Sequence, residues 1–332
     1  MPNTILRHIE AILQTGSVVA ASRKLFVSQP SLSQYVRRLE AEYGITIFDR
    51  AESPWRLTEE GERLLEAQRR MDAIDRECRQ FFADRRGLKT GSIRIGSTAY
   101  RTATLLNPVL SVFKQRYPKI SVQVEEGTTQ EVIDWAESGR VDCSFAVTAM
   151  VPETMQKVPV FSEKVLLGLS AGHALAAGIE QAASPPVIDF RRLAQTPFII
   201  MKKGQIFHEY YSDLCRRYGV RPPVALETQS ILTVPALIAT GLGGALIPST
   251  IASDCRAHGV ALFKLPDGDL PENEVSVAWK RNRYMSFAAK AFVKACQEIL
   301  GKDQPLRQSI CGRAGRSGQK KRFSPLPGSA VR

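Results

Sequence analysis

Residues 16–40 read GSVVAASRKLFVSQPSLSQYVRRLE, and this stretch decides the fold of the first part of the chain. The small residues within 20–25 are typical of a short helix that a second helix can approach closely. Ser28 can cap the helix that follows, and Pro30 is tolerated in its first turn. An apolar stripe within residues 5–13 predicts a further helix upstream. The chain is therefore expected to open with three short helices joined by tight turns.

The helix that begins after Ser28 has two unlike faces. Apolar residues at positions 32, 36, 39 and 43 predict a buried stripe. The opposite face has uncharged hydrogen-bonding side chains near its start and arginines further along. A helix in a major groove needs this division, because the first group reads base edges and the second holds phosphates. A small helical bundle with a solvated polar face would show the same periodicity.

A short β-hairpin is predicted directly after this helix. Residues 45–47 and 55–57 alternate apolar and polar side chains around a Glu-Ser-Pro turn. A short helix, a tight turn, a polar-faced helix and a hairpin together predict a winged helix-turn-helix over residues 1–58. The residues expected to contact DNA are Ser28, Gln29, Pro30, Ser31, Ser33, Gln34, Arg37, Arg38, Arg50 and Arg56.

These motifs resemble those of the LysR-type transcriptional regulators. The resemblance is carried by the small-residue second helix, by SQPSLS at 28–33, by IFDR at 47–50 and by LTEEG at 57–61. It implies a sequence-specific regulator of transcription and not an enzyme. The partners it implies are an imperfect palindrome in double-stranded DNA, a small-molecule effector and, indirectly, RNA polymerase. No cofactor is expected beyond that small-molecule co-inducer.

A long helix over residues 59–89 is predicted to link the DNA-binding domain to the rest of the chain. No Gly or Pro interrupts residues 62–86, and two apolar sets recur every seven residues, as in a coiled coil. The charged positions between them are expected to be solvated, and a long helix packed on its own domain remains an alternative. The coiled coil predicts a homodimer. A homotetramer is also expected, and the sequence leaves the choice between dimer and tetramer open. The expected dimer residues are Leu64, Ala67, Met71, Ile74, Cys78 and Phe81, with Leu88 continuing the series.

From residue 90 to residue 301, predicted strands alternate with predicted helices, which indicates parallel α/β sheets. The family resemblance implies a two-subdomain effector domain of the periplasmic-binding-protein-like type 2 fold. Subdomain I is expected at about 91–161 with 267–301, and subdomain II at about 162–266. The predicted strands are 92–96, 121–125, 142–148, 164–169, 197–201, 224–228, 245–247 and 275–280, and the predicted helices include 104–116 and 131–138.

Ligands of open α/β sheets bind at the carboxyl ends of strands, near helix N-termini. Ser97, Thr98 and Arg101 follow the first such strand and suit a carboxylate, so we expect an anionic or carboxylated metabolite. Each residue chosen in this way has a simpler alternative role as a helix cap or turn residue, and a repressor without a ligand remains open. The expected effector residues are Ser97, Thr98, Tyr100, Arg101, Thr128, Thr148, Gln205, Phe207, Ser230, Ile231 and Pro248.

The formal net charge of +12 is unevenly distributed. Residues 1–58 contribute +2, residues 59–89 contribute none, residues 90–301 contribute +3 and residues 302–332 contribute +7. The last segment is basic and of low complexity, and it is expected to be a disordered tail. Such a tail has either no dedicated role or adds non-specific affinity for nucleic acid.

The composition also indicates a compartment. We find no apolar run of about 18 residues and no secretory leader, and none of the six cysteines forms a Cys-x-x-Cys pair. A cytoplasmic, nucleoid-associated protein without membrane contact or a metal site is therefore expected. A thiol switch would need the fold to bring two of Cys143, Cys215 and Cys255 together.

Two further motifs suggest enzymes. Residues 168–172 read GLSAG, as in a hydrolase nucleophile elbow, and Asp189 or Asp213 followed by His258 gives the matching order of residues. No helix pattern begins at residue 172, which argues against that interpretation. Residues 241–244 read GLGG but close a helix before a strand, which favours a turn over a dinucleotide site.

Overall fold

The computed structural model describes residues 3–51, 54–87, 90–177 and 184–301. The chain divides into two compact units. The first comprises Met1–Val160 with Glu274–Gln297, and the second comprises Phe161–Asn273 with the residues from Glu298 onward. The expected tail at 302–332 and Leu88 of the predicted seam lie outside the described residues. Within those residues, no helix combines the length and the apolar character that crossing a membrane requires.

Three helices and a hairpin open the first unit, as the sequence predicts. Each helix begins at a side-chain cap: Asn3, Ser17 and Ser28 each accept a hydrogen bond from a backbone N–H of the first turn. Their apolar stripes meet in one core, in which Leu32, Val36 and Leu39 are buried. The elements are α1 (Thr4–Thr15), α2 (Val18–Leu25), α3 (Gln29–Tyr43), β1 (Phe48–Asp49) and β2 (Arg56–Leu57), with β1 and β2 antiparallel.

The long helix α4 (Glu59–Arg85) follows the hairpin. Thr58 caps it through the N–H of Gly61, and three glutamates lie in its first turn, where the helix dipole favours negative charge. Gly61 lies against the hairpin, because a Cβ there would be 2.2 Å from the carbonyl oxygen of Ile47. Because Gly61 has no side chain, the start of α4 can pack closely against the hairpin of the DNA-binding domain.

The rest of the first unit is an α/β sheet with helices. Its strand order is β4-β3-β5-β12-β6. β3 is parallel to β4 and β5, as expected, but β12 is antiparallel to β5, so the expectation of parallel pairing is wrong for β12. The elements are β3 (Gly91–Ser97), α5 (Ala99–Arg101), a π-helical turn (Thr102–Leu106), α6 (Asn107–Arg116), β4 (Ile120–Glu126), α7 (Thr129–Ser138), β5 (Cys143–Val147), β6 (Met155–Glu163), β12 (Asn273–Lys280) and α11 (Phe287–Leu300).

The second unit repeats the α/β pattern. β8 and β9 are parallel, a bridge between Phe198 and Gly244 runs parallel from β8 towards β10, and β7 pairs antiparallel with both β10 and β11. The elements are β7 (Val165–Ser170), β8 (Phe198–Met201), α8 (Ile206–Tyr218), β9 (Val224–Thr228), α9 (Val234–Ala239), β10 (Ala245–Pro248), α10 (Ala252–Ala257) and β11 (Val260–Lys264).

Several elements differ from the sequence expectations, and one of them is the short helix α10, which was not expected. The helix expected at 104–116 begins at Ala99 and contains a wide π turn just before Pro108, which supplies no N–H and crowds the preceding turn. Strand β6 was not expected, because Pro159 interrupts its pattern. It lies at the edge of its sheet, where a proline is tolerated. Strand β11 was also not expected, since a short apolar run is ambiguous.

Gly61 provides a test of this packing. Gly61→Ala should destabilise the DNA-binding domain by about 2 kcal/mol, because the new Cβ overlaps a backbone oxygen that cannot move away cheaply. Urea unfolding followed by tryptophan fluorescence in a Trp135→Phe/Trp279→Phe background, where Trp55 alone emits, measures this loss. Gly172→Ala is the matched control, because nothing lies within 4 Å of a Cβ at that position. Equal midpoints for wild type and Gly61→Ala would contradict the close approach.

Candidate nucleic-acid interface and ligand-binding edges

Helix α3 presents a polar face to solvent. Ser28, Gln29, Pro30, Ser31, Gln34, Arg37 and Arg38 are exposed, and Ser33 is half-buried. The Nε2 of Gln29 donates to the Oγ of Ser33 at 2.8 Å, which orients both side chains along one row of the helix. We call these eight residues the recognition face.

Glu40 ties the wing to the end of α3, a role that the sequence did not suggest. One carboxylate oxygen accepts from the N–H of Ile47 at 3.0 Å, and the other pairs with Arg50 at 2.6 Å. The guanidinium of Arg50 also lies 5.4 Å from the ring centre of Trp55. Arg50 and Arg56 are exposed on the hairpin, as expected for a wing. The orientation of the wing relative to α3 is therefore held by the half-buried carboxylate side chain of Glu40.

Along α4, the residues expected to form a dimer seam divide into two groups. Leu64 is buried in the core of its own DNA-binding domain, and Ala67 is half-buried. Met71 and Ile74 are 58% and 63% exposed, and Cys78 is exposed. Phe81 is partly exposed and packs edge-on against Tyr284 at 5.2 Å. The exposed seam, which we define as Met71, Ile74, Cys78 and Phe81, keeps the predicted seven-residue spacing.

A second face of α4 docks on the effector domain of the same chain. The expectation that its charged residues are solvated is wrong for Asp72, Arg76 and Glu77, which are half-buried. Arg76 donates to the carbonyl oxygens of Gly139 and Arg140 at 2.9 and 3.5 Å. Burial lowers the pKa of the Arg76 guanidinium. The alternative of a helix packed on its own domain thus describes this face, while the seam faces solvent.

The strand order of the first unit places several expected effector residues at one edge. From β3 the chain crosses to β4 on one side and then to β5 on the other, so the connection reverses direction beside β3. Crevices at such reversals are where open α/β sheets bind ligands. The first ligand edge comprises the residues at these strand ends: Ser97, Thr98, Tyr100, Arg101, Thr128 and Thr148.

The side chains of the first ligand edge are held firmly. Ser97 and Arg101 are 0% and 2% exposed, and Tyr100 is buried with them. Thr98 caps the following helix through the N–H of Arg101. Thr128 caps α7 in a reciprocal capping box. The hydroxyls of Thr148 and Ser276 lie 2.7 Å apart. The structure therefore gives Thr98 and Thr128 the capping role that the sequence left open.

The second unit has a corresponding edge, which we call the second ligand edge. From β8 the chain crosses to β9 and then returns past β8 to β10, so here too the connection reverses. The Nε2 of Gln205 donates to the carbonyl oxygen of Gln229 at 3.1 Å, joining the ends of β8 and β9. The expected residues at this edge are Gln205, Phe207, Ser230, Ile231 and Pro248, of which Phe207, Ile231 and Pro248 are buried.

A buried carboxylate in the second unit was missed by the sequence analysis. Glu163 is 2% exposed and accepts hydrogen bonds from Thr250 at 2.7 Å and from Asn273 at 2.8 Å. Tyr210 donates to the side-chain oxygen of Asn273 at 3.3 Å. Buried charges persist when they are paired or hydrogen-bonded in this way. Thr250 and Asn273 are 87 and 110 residues from Glu163 along the chain, so no local pattern indicates their meeting.

The GLSAG motif does not form a nucleophile elbow. Gly168 lies within β7, paired with Ala245 and Leu262, and the strand continues through the serine. Asp189 pairs with Arg191, Asp213 pairs with Arg216, and His258 faces its own helix at the carbonyl oxygen of Asp254. The GLGG segment is a turn between α9 and β10, as expected.

The described cysteines are free thiols. Burial raises the pKa of Cys143, raises that of Cys255 to about 12 and raises that of Cys296 well above its usual value, so these thiols are poor nucleophiles. Cys143, Cys215 and Cys255 form no disulfide with one another. Within the described ranges, no cluster of three or more His, Cys, Asp or Glu side chains suits a metal ion.

A winged helix-turn-helix joined by a long helix to an α/β sensor defines a ligand-responsive DNA-binding regulator. Residues 4–62 match the family model of the bacterial regulatory helix-turn-helix proteins of the lysR family, and residues 86–301 match the LysR substrate binding domain. The chain therefore belongs to the LysR family of transcriptional regulators, which bind DNA, carry an effector domain and are not enzymes.

Known regulators are similar to this protein in sequence or fold along nearly the whole chain. The uncharacterized HTH-type transcriptional regulator YcgK of Bacillus subtilis is 29% identical over 308 residues, covering 89% of this chain and 94% of YcgK. The structure of HinK, a LysR family regulator from Pseudomonas aeruginosa, has 25% identity and a TM-score of 0.55, covering 89% of this chain and 97% of HinK. Full-length CbnR in complex with its target DNA has 19% identity and a TM-score of 0.64, covering 90% and 99%, a likeness of fold alone.

Proposed function

We propose that this LysR-type regulator works as a homodimer that reads an imperfect palindrome with α3 and responds to a small anionic or carboxylated metabolite. The observation that carries the proposal is the recognition face of α3. Its hydrogen-bonding and cationic side chains are exposed, while the opposite side of the same helix is anchored in the core by Leu32, Val36 and Leu39. A rigid helix with polar side chains free of the core suits a major groove.

The recognition face has two kinds of side chain along α3, which suit two kinds of DNA contact. Gln29 and Gln34 have amide groups that read base edges, whereas Arg37 and Arg38 suit phosphates. Arg50 and Arg56 on the wing suit the DNA backbone or the minor groove. The likeness of fold to CbnR, whose structure was determined with its target DNA, supports the same mode of docking.

Dimerisation is supported by the exposed seam. Without a partner, the large apolar side chains of Met71, Ile74 and Phe81 would remain exposed to water. A two-fold dimer would present two recognition helices to the two halves of a palindrome. Further assembly to a tetramer, indirect action on RNA polymerase and a cytoplasmic location at the nucleoid belong to the same proposal.

The effector proposal is supported by chemistry at the first ligand edge. A buried arginine, a buried serine and a helix start lie together at a reversal of strand order. A guanidinium with hydroxyl and backbone donors around it suits a carboxylate. The second ligand edge has its own donors, Gln205 and Ser230, beside buried apolar residues, and by itself it also suits a small organic molecule.

DNA recognition is tested with a site selected in vitro from random DNA by the wild-type protein. Arg37→Ala should weaken binding to selected and unrelated DNA alike and lower the slope of log affinity against log salt by about 1, since one phosphate contact is lost. Gln29→Ala should instead reduce the preference for the selected site, by about 1–3 kcal/mol. Fluorescence anisotropy over a salt series measures both. Arg256→Ala is the control, and an unchanged slope for Arg37→Ala would refute the phosphate contact.

The seam is tested with Met71→Glu and Ile74→Glu together. Carboxylates buried at a dimer interface lose their water without gaining partners, so the variant should sediment as a monomer at micromolar concentration. Arg63→Glu changes an exposed side chain on another part of α4 and should leave the dimer intact. A double variant that is folded and still dimeric would show that the interface lies elsewhere.

Effector binding is tested by a thermal-shift screen of small organic acids. An acid that binds should raise the unfolding temperature of the wild type, and Ser97→Ala should bind it about 10- to 100-fold more weakly, because a hydrogen bond to a charged group is lost. Ser138→Ala removes a hydroxyl that only bonds the carbonyl oxygen of Trp135, and it should bind like wild type. Equal affinity for wild type and Ser97→Ala would remove Ser97 from the site.

A further inference from the structure

Polar side chains make most of the contacts between α4 and its own effector domain, and the aromatic pair of Phe81 with Tyr284 lies beside them. We define the docking face of α4 as Asp72, Arg76, Glu77, Gln80 and Asp84, four of which recur every four residues along one side of the helix. Ala73, which is buried beside them, adds one small apolar side chain. Met71, Ile74 and Cys78 of the exposed seam lie on a different side of the same helix, whereas Phe81 packs edge-on against Tyr284 at the border of the docking face. Thus α4 can dock on its own chain and still offer the seam to a second copy.

The middle of the docking face joins an ion-pair chain. Glu77 pairs with Arg283 at 3.4 Å, and Arg283 pairs in turn with Asp142 at 3.1 Å. Asp142 also accepts from the backbone N–H of Arg94 at 2.8 Å, and the side chain of Arg94 pairs with Asp72 at 3.3 Å. The side chains of Arg283 and Asp142 are 8% and 6% exposed. This series of contacts begins at Glu77 and ends at Asp72, both on α4, and it includes the buried opposite charges of Arg283 and Asp142.

The end of the docking face caps another helix. Asp84 accepts from the hydroxyl of Tyr284 at 2.8 Å and from the N–H of Phe287, the first residue of α11, at 2.7 Å. A carboxylate in that place satisfies a free N–H and favours the helix dipole. Gln80 adds a bond to the carbonyl oxygen of Ser92 at 3.0 Å. These contacts fix α4 against the start of α11 and the start of β3.

This interface can open without leaving a buried charge unpaired. If α4 left, Asp142 and Arg283 would still pair with each other, while Glu77, Arg76 and Asp72 would gain water. In partly buried ion pairs the cost of desolvation nearly offsets the attraction, so such contacts specify a geometry more than they stabilise it. An apolar interface of the same extent would resist opening, because its area would be exposed to water.

The same contacts lie at one end of a strand pair whose other end is the first ligand edge. Asp142 precedes β5 and Thr148 follows it, about 20 Å away for six extended residues. Arg283 follows β12, and Ser276 near the start of β12 bonds Thr148. The antiparallel pair β5–β12 is thus joined by side chains at both ends, by two hydroxyls at the ligand edge and by an ion pair at α4.

We propose that the docking face of α4, with Asp142, Arg283, Tyr284 and the start of α11, is a releasable latch between the linker helix and the effector domain. The latch holds α4 to its own effector domain, and its release frees the DNA-binding domain to move relative to that domain. The part of this idea that assigns the latch to effector control rests on the proposed function. The latch itself does not, since it is defined by contacts within the first unit.

Hydrogen exchange of the full-length protein tests the latch without any ligand. The variant Glu77→Gln/Asp84→Asn removes two charges from the latch and leaves the Asp142–Arg283 pair intact. Backbone amides of residues 76–85 should exchange about tenfold faster or more in this variant, because local opening becomes easier. Amides of residues 62–70, which pack on the DNA-binding core, should keep wild-type rates. Asp75→Asn is the control, since Asp75 pairs only with Arg79 on the same exposed side of α4.

Two outcomes would overturn the latch. Wild-type exchange over residues 76–85 in the double variant would show that these charges do not hold the helix. Equally fast exchange in Asp75→Asn would show a general loss of helix stability instead. If the double variant is too unstable to study, Glu77→Gln alone serves, because Glu77 is the more exposed partner of Arg283. Failure of the wild type to bind selected DNA would refute the proposed function but would leave the exchange result and the latch unaffected.

Discussion

The rest of the structure depends on a constraint within one helix, because α4 must satisfy two environments at once. Its first turns pack into the DNA-binding core through Gly61, Leu64 and Leu65. Its later turns contact the effector domain by ion pairs and hydrogen bonds, while Met71 and Ile74 remain exposed on another side. A helix turns by 100° per residue, so these roles can occupy separate stripes of one rigid rod. The DNA-binding core, the exposed seam and the effector domain are therefore linked through a single element.

The two α/β units use one device for positioning ligand groups. In each, successive crossovers leave the first strand in opposite directions, and the expected effector residues follow the strands at that reversal. Ser97 and Arg101 are buried at one edge, and Phe207 and Ile231 at the other. Side chains held in this way need little ordering when a ligand binds, which favours affinity for a small molecule.

Sequence patterns over a few residues predicted the features that depend on neighbouring residues, namely helix caps and apolar stripes. The cap Ser28 and the buried positions Leu32, Val36 and Leu39 of α3 follow from spacing within a few residues, and the structure confirms them, but Tyr43 at the end of the predicted stripe is 47% exposed. The π turn before Pro108 and the edge strand with Pro159 show the limit, because whether a proline ends an element depends on what lies beside it. Among the charged residues of α4, no local pattern separates the solvated Asp75 and Arg79 from the docked Asp72 and Arg76.

The sequence by itself determined the winged helix-turn-helix, the polar side of α3, the long linker helix and the strand ends that carry the expected effector residues. These features follow from periodicity and capping, which act between neighbours in the chain. Only the tertiary structure decided that Glu40 holds the wing, that Leu64 belongs to the core, that Glu163 meets Thr250 and Asn273, and that Glu77 meets Arg283. Those contacts, apart from that of Glu40 with the nearby wing, join residues far apart along the chain. Their energies depend on burial and on the arrival of a partner, which no local pattern encodes.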